Sequence, residues 1–128
     1  MRNLIRWILP VLLGANGLAM LLFAAEWYPA VPGVTETGPF NSHFVRDIGS
    51  AYLASAVGLG WWAARRPGGV GAALVAAVFL GLHMLVHVAD AVSGHHPGGD
   101  ILRDFVGVYV PALATIWIAW RGLTRGEA

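Results

Sequence analysis

Apolar residues in this chain fall in long blocks, not in the period-2 alternation of half-buried strands. Four stretches, 7–25, 48–64, 67–89 and 105–120, contain no Asp, Glu, Lys or Arg. A helix crosses the hydrocarbon layer with about 20 apolar residues. The pattern therefore predicts an all-α integral membrane four-helix bundle, with spans at about 5–25, 43–64, 70–92 and 103–121. The first and third blocks qualify outright. The second and fourth qualify when their flanking charges sit at headgroup level. Outer loops 26–42 and 93–102 and an inner loop 65–69 connect the spans, which leaves a single transmembrane domain, 1–128.

Composition agrees: 57% of the 128 residues are hydrophobic, 12% are charged, and mean hydropathy is +0.64. Soluble domains carry about 25% charged residues. The first 25 residues have the basic start of a signal peptide, but the apolar run is long for one and Phe23-Ala24-Ala25 is a poor cleavage site. They read as an uncleaved first span. No cysteine is present, which removes disulfides, thiolate metal ligands and cysteine nucleophiles together.

Charge placement sets the expected orientation. Arg2, Arg6, Arg65, Arg66, Arg121 and Arg125 fall at one end of a four-span arrangement. The positive-inside rule makes that end cytoplasmic, with both termini inside and a bacterial inner membrane as the setting. Trp7, Trp61, Trp62, Trp117 and Trp120 belong to the same end, as an interfacial belt would. The other end holds all five histidines and six of the seven acids. Its first loop, "EWYPAVPGVTETGPF", has three prolines, cannot be one continuous helix, and is expected to fold back over the mouth of the bundle. Pro10 and Pro111 should kink the first and fourth spans.

A short repeat divides the chain. "FVRDIGSAYL" (44–53) and "ILRDFVGVYV" (101–110) both read apolar-apolar-Arg-Asp with a Tyr five residues after the Asp. Two hairpins of the same orientation, related as parallel repeats, would produce it. Arg46 and Arg103 can each pair with a nearby carboxylate or reach lipid phosphate. Asn41 or Ser42, and Asp100, are the expected helix N-caps.

The candidate chemistry lies in "GLHMLVHVADAVSGHH", residues 81–96. His83, His87 and Asp90 are spaced i, i+4, i+7 and share one helical face. On the second span His43 and Asp47 are i, i+4, and their face continues through Ser50, Ala54 and Gly58. Small residues at that spacing allow close helix packing, so the pair is expected to point into the bundle. Ionisable groups inside a membrane are functional candidates because they are costly to keep there. Asp104 on the fourth span is an outer member, and Asn16 should face the bundle or pair across it.

Three chemistries fit these residues. One is a transition-metal site for Zn, Cu or Fe, with His43, His83 and His87 as ligands and Asp47, Asp90 and Asp104 as ligands or supporting carboxylates. Another is a polar network that binds nothing and specifies helix pairing, with Tyr52 and Tyr109 available as partners. The third is haem b held between His43 and His87. A proton relay or quinone pocket would use the same imidazoles. His95 and His96 in the Gly/Pro loop are solvated or feed a metal inward. No phosphate loop and no nucleophile elbow is present, so no catalytic residue is assigned and enzyme activity is left open. The arginines are membrane flanks and give no basis for nucleic-acid binding. The expected partners are the lipid bilayer and either a second copy or a larger membrane complex.

The segment "PFNSHFVRDIGSAYLASAVGLGWW" (39–62), a Pro/Gly loop followed by Arg-Asp-x-Gly opening a span, resembles the DoxX-like group of small four-span bacterial membrane proteins. That resemblance implies the four-helix architecture and, among its better-understood members, a role as accessory subunit of membrane oxidoreductases. It assigns no role to His83, His87 or Asp90.

Overall fold

The computed structural model describes residues 2–65, 68–93 and 101–126, and every regular element among them is helical. The order is α1 (Arg2–Leu22), α2 (Ala24–Ala30), a 3-10 turn (Val34–Glu36), α3 (Ser42–Ala64), α4 (Val70–Ser93), α5 (Ile101–Asp104), a π-turn (Phe105–Tyr109) and α6 (Val110–Thr124). The stretches Leu4–Leu22, Val70–Ser93 and Ile101–Thr124 are long and apolar enough to cross a membrane. The segment expected as the second span forms the 23-residue helix α3, which is not among these three stretches. It is less apolar than the others, because Arg46, Asp47 and three serines lie within it.

Local chemistry explains where the helices start and stop. Asn41 caps α3, its side-chain oxygen accepting from the backbone N–H of His43 at 3.1 Å and of Phe44 at 3.2 Å. The expected first loop begins later than its composition predicts, since residues 24–30 form α2. Phe23, at φ −131°, ψ 42°, separates α2 from α1. The Trp27 indole then donates to Asn16 Oδ1 at 3.0 Å, which supplies the partner expected for that mid-span amide. Val31 ends α2 in an extended conformation (φ −91°, ψ 120°), as a residue preceding proline should. The irregularity expected at Pro111 takes the form of the π-turn. Proline lacks the N–H that would bond back to Gly107, and the N–H of Val110 reaches the Phe105 carbonyl five residues back.

The long helices are antiparallel in chain order and pack in that order: α1 on α3, α3 on α4, α4 on α6. Two glycines bring α1 and α3 together. A Cβ added to Gly17 would lie 2.8 Å from the Gly49 carbonyl oxygen, and one added to Gly49 would lie 2.7 Å from Met20 Cβ. Small residues at a helix contact permit backbone approach of this kind. The core is small and mostly aliphatic: Leu59, Ala63, Val70, Ala73, Ala76, Leu80 and Ala112 are buried. Leu4, Val11, Leu12, Val57, Val75, Val78, Leu82, Leu85, Val86, Leu113 and Trp120 all face outward. Exposed apolar side chains along every long helix are what a surface covered by lipid or by another chain carries.

Candidate functional site

The site lies at the end of the helices remote from Arg65 and both termini. Helical phase decides which side chains enter it. On α4 the buried stripe Val70, Ala73, Ala77, Leu80 continues outward into half-buried His83 and His87. On α3 the buried stripe is Val45, Gly49, Tyr52, Ala56, Leu59, and Tyr52 carries it up to His83. The two imidazoles sit 4.8 Å apart, edge to face. His83 stacks on Phe79 at 5.9 Å, and the Tyr52 ring edge meets both rings, at 5.5 Å from Phe79 and 5.7 Å from His83.

From His87 a chain of charged contacts runs outward. His87 Nδ1 donates to Asp104 Oδ2 at 2.8 Å. An ionised carboxylate only accepts, so the proton resides on Nδ1. The other oxygen, Oδ1, accepts from Arg103 Nε at 3.1 Å, and Arg103 Nη1 donates to Glu36 Oε2 at 2.9 Å. The side chains of His87 and Asp104 are 27% and 13% exposed, so this pair is shielded enough to matter energetically. Glu36 brings the first outer loop over the mouth, as its composition predicts. Gly33 permits this: it sits at φ 84°, and an added Cβ would strike the Arg103 guanidinium. The loop also closes on itself, with the Tyr28 hydroxyl donating to the Gly38 carbonyl and the Tyr28 and Phe40 rings 5.3 Å apart.

The π-turn is what turns Asp104 inward. In the first half of the repeat, Asp47 and Tyr52 are five residues apart on a regular α-helix, about 140° around its axis. Tyr52 is buried there and Asp47 faces out. In the second half, residues 104 and 109 are separated by a turn that closes on i+5, which returns them toward one face. Asp104 and Tyr109 both point inward, and the Tyr109 hydroxyl is buried without a hydrogen-bond partner among the described residues.

Of the residues singled out by spacing, the structure joins His83, His87 and Asp104. It does not bring His43, Asp47 or Asp90 to them. His43 and Asp47 pair with each other at 3.3 Å on the outer face of α3, 87% and 61% exposed. Their expected inward orientation is overturned because Gly49 and Ala56, not Ser50 and Ala54, form the packing stripe. A haem between His43 and His87 would need these residues to face one another, and they do not. Asp90 is half-buried, and its carboxylate has no partner among the described residues. No group of three or more His, Asp or Glu among the described residues is placed to hold a metal ion. His95, His96 and the expected cap Asp100 lie outside the described residues. Glu36 and Phe79 were not legible as site members: Glu36 is 67 residues from its partner, and Phe79 reads as ordinary core.

No family model, curated protein or solved structure matches the chain.

Proposed function

We propose that this is a multi-pass membrane protein with four spans and both termini cytoplasmic, acting as a structural or accessory subunit of a membrane complex. Its outer half is held by the polar chain His87–Asp104–Arg103–Glu36. The observation that carries this reading is that both oxygens of Asp104 are already engaged by protein groups, at 2.8 and 3.1 Å, and that Arg103 is engaged in turn by Glu36. Such a network favours one arrangement of the helices and occupies both oxygens of Asp104 with protein donors. The outward apolar surface of all four long helices supports the bilayer placement, and the flanking helices α1 and α6 offer lateral faces to a second copy or another subunit. The DoxX-like resemblance points the same way.

The transition-metal reading keeps one favourable feature. A carboxylate on His87 Nδ1 leaves Nε2 for a metal, the arrangement of many metal-bound histidines, and His83 lies one turn away. One detergent-purified sample separates the two readings. The network reading expects folded, metal-free protein without a Soret band, migrating as an assembly larger than one chain. Stoichiometric metal that is lost in both His83→Ala and His87→Ala would replace it with the metal reading.

A further inference from the structure

The outward face of α3 carries charge where a helix in lipid would carry none. At about 100° per residue, His43 and Trp61 fall on one line down the helix, about five turns apart, and both are exposed. Ser50 and Ala54, also exposed, lie about 20° to either side of that line. Arg46 stands about 60° to one side and Asp47 about 40° to the other, again exposed. The line runs opposite the buried stripe through Tyr52 and Leu59, and no element among the described residues covers it. Among those residues no carboxylate pairs with Arg46. Asp47 meets His43 of its own helix at 3.3 Å, and the Ser50 hydroxyl donates to the Arg46 carbonyl at 2.9 Å. Ionisable groups on the outward face of a spanning helix are costly against lipid, so this face calls for a cover.

The charge pattern identifies the cover. Two copies of α3 side by side about a two-fold axis along the membrane normal place each flank of one helix against the opposite flank of the other. Arg46 of one copy then faces Asp47 of the partner subunit, and the reciprocal pair forms on the far side of the seam. One pattern read twice supplies both ion pairs, whereas an unrelated partner would have to reproduce the pattern independently. Ser50 and Ala54 sit in the middle of the seam, where small side chains let the two backbones approach. The geometry points to a symmetric dimer of this chain through the outward face of α3, fastened by reciprocal Arg46–Asp47 contacts. The inference rests on the reading of the chain as a subunit of a membrane assembly and names its first partner, a second copy. The lateral faces of α1 and α6 are left for other subunits.

The chain has no cysteine, so Ala54→Cys places a single thiol on the seam and leaves every charge in place. In membranes, mild oxidation should convert Ala54→Cys to a disulfide-linked dimer, while Leu82→Cys, on the exposed face of α4, should stay a single chain. In the Ala54→Cys background, Arg46→Asp or Asp47→Arg sets like charges opposite each other and should weaken dimerisation in micelles about tenfold. Arg46→Asp combined with Asp47→Arg reverses both signs and should restore it. Equal crosslinking of Ala54→Cys and Leu82→Cys would mean random collision and overturns the interface. So does a doubly reversed variant, with helix content unchanged by circular dichroism, that dimerises no better than either single one. An assembly larger than one chain in which Ala54→Cys fails to crosslink overturns the α3 dimer but keeps the subunit reading. Migration of the unaltered chain as a monomer in every mild detergent defeats the subunit reading itself, and the dimer with it.

Discussion

Asp104 accepts from two half-buried donors, His87 Nδ1 and Arg103 Nε. Replacing it by Asn keeps the shape but removes the charge that both Arg103 and His87 address. Asp104→Asn should therefore destabilise the protein by roughly 1–3 kcal/mol, read from unfolding in mixed micelles. Glu36 is a weaker member because half of its side chain is solvated. Glu36→Gln should cost below about 1 kcal/mol in the same assay. Gly33→Ala tests the backbone under the loop: an alanine at φ 84° costs about 1–2 kcal/mol and also pushes against Arg103. Protease should then cut the 31–40 segment faster than in the parent chain, with cleavage of α4 unchanged.

At the level of elements, the helices were legible and their rotation was only partly so. Apolar blocks bounded by arginine and proline located 43–64 and 70–92 to within one residue of Ser42–Ala64 and Val70–Ser93. Which face of α3 turns inward was not legible, because two small-residue stripes compete and only the contact partner decides between them. Gly49 wins by meeting Gly17 on α1. Gly49→Leu should separate α1 from α3 and abolish a Gly14→Cys/Ala56→Cys crosslink, which the parent spacing allows. The π-turn was equally invisible in composition, although Pro111 marked the place where the helix would deviate. Pro111→Ala restores the missing N–H and permits a regular turn. The expected outcome is unchanged helix content by circular dichroism with loss of the His87–Asp104 hydrogen bond, seen in the imidazole ¹⁵N shifts.

For the whole molecule, sequence position alone separated a charged, histidine-bearing end from an arginine and tryptophan end, and the antiparallel packing keeps that division. It could not show which charges meet across it, since Arg103 and Glu36 belong to different hairpins. The absence of cysteine makes the orientation directly measurable. In sealed vesicles, Thr37→Cys and Gly68→Cys should be labelled by an impermeant maleimide from opposite sides. Labelling of both from one side would refute four crossings.

The bridge from Glu36 to Arg103 also bears on how the protein is made. At synthesis rates of about 5–20 residues per second, Glu36 leaves the ribosome roughly 3–13 s before the arginine 67 positions downstream. During that interval the loop of the first hairpin is untethered, so its fastening is a late event in biogenesis. A ribosome stalled before residue 103 should thus carry a first hairpin whose loop a protease can reach, and release of the finished chain should protect it.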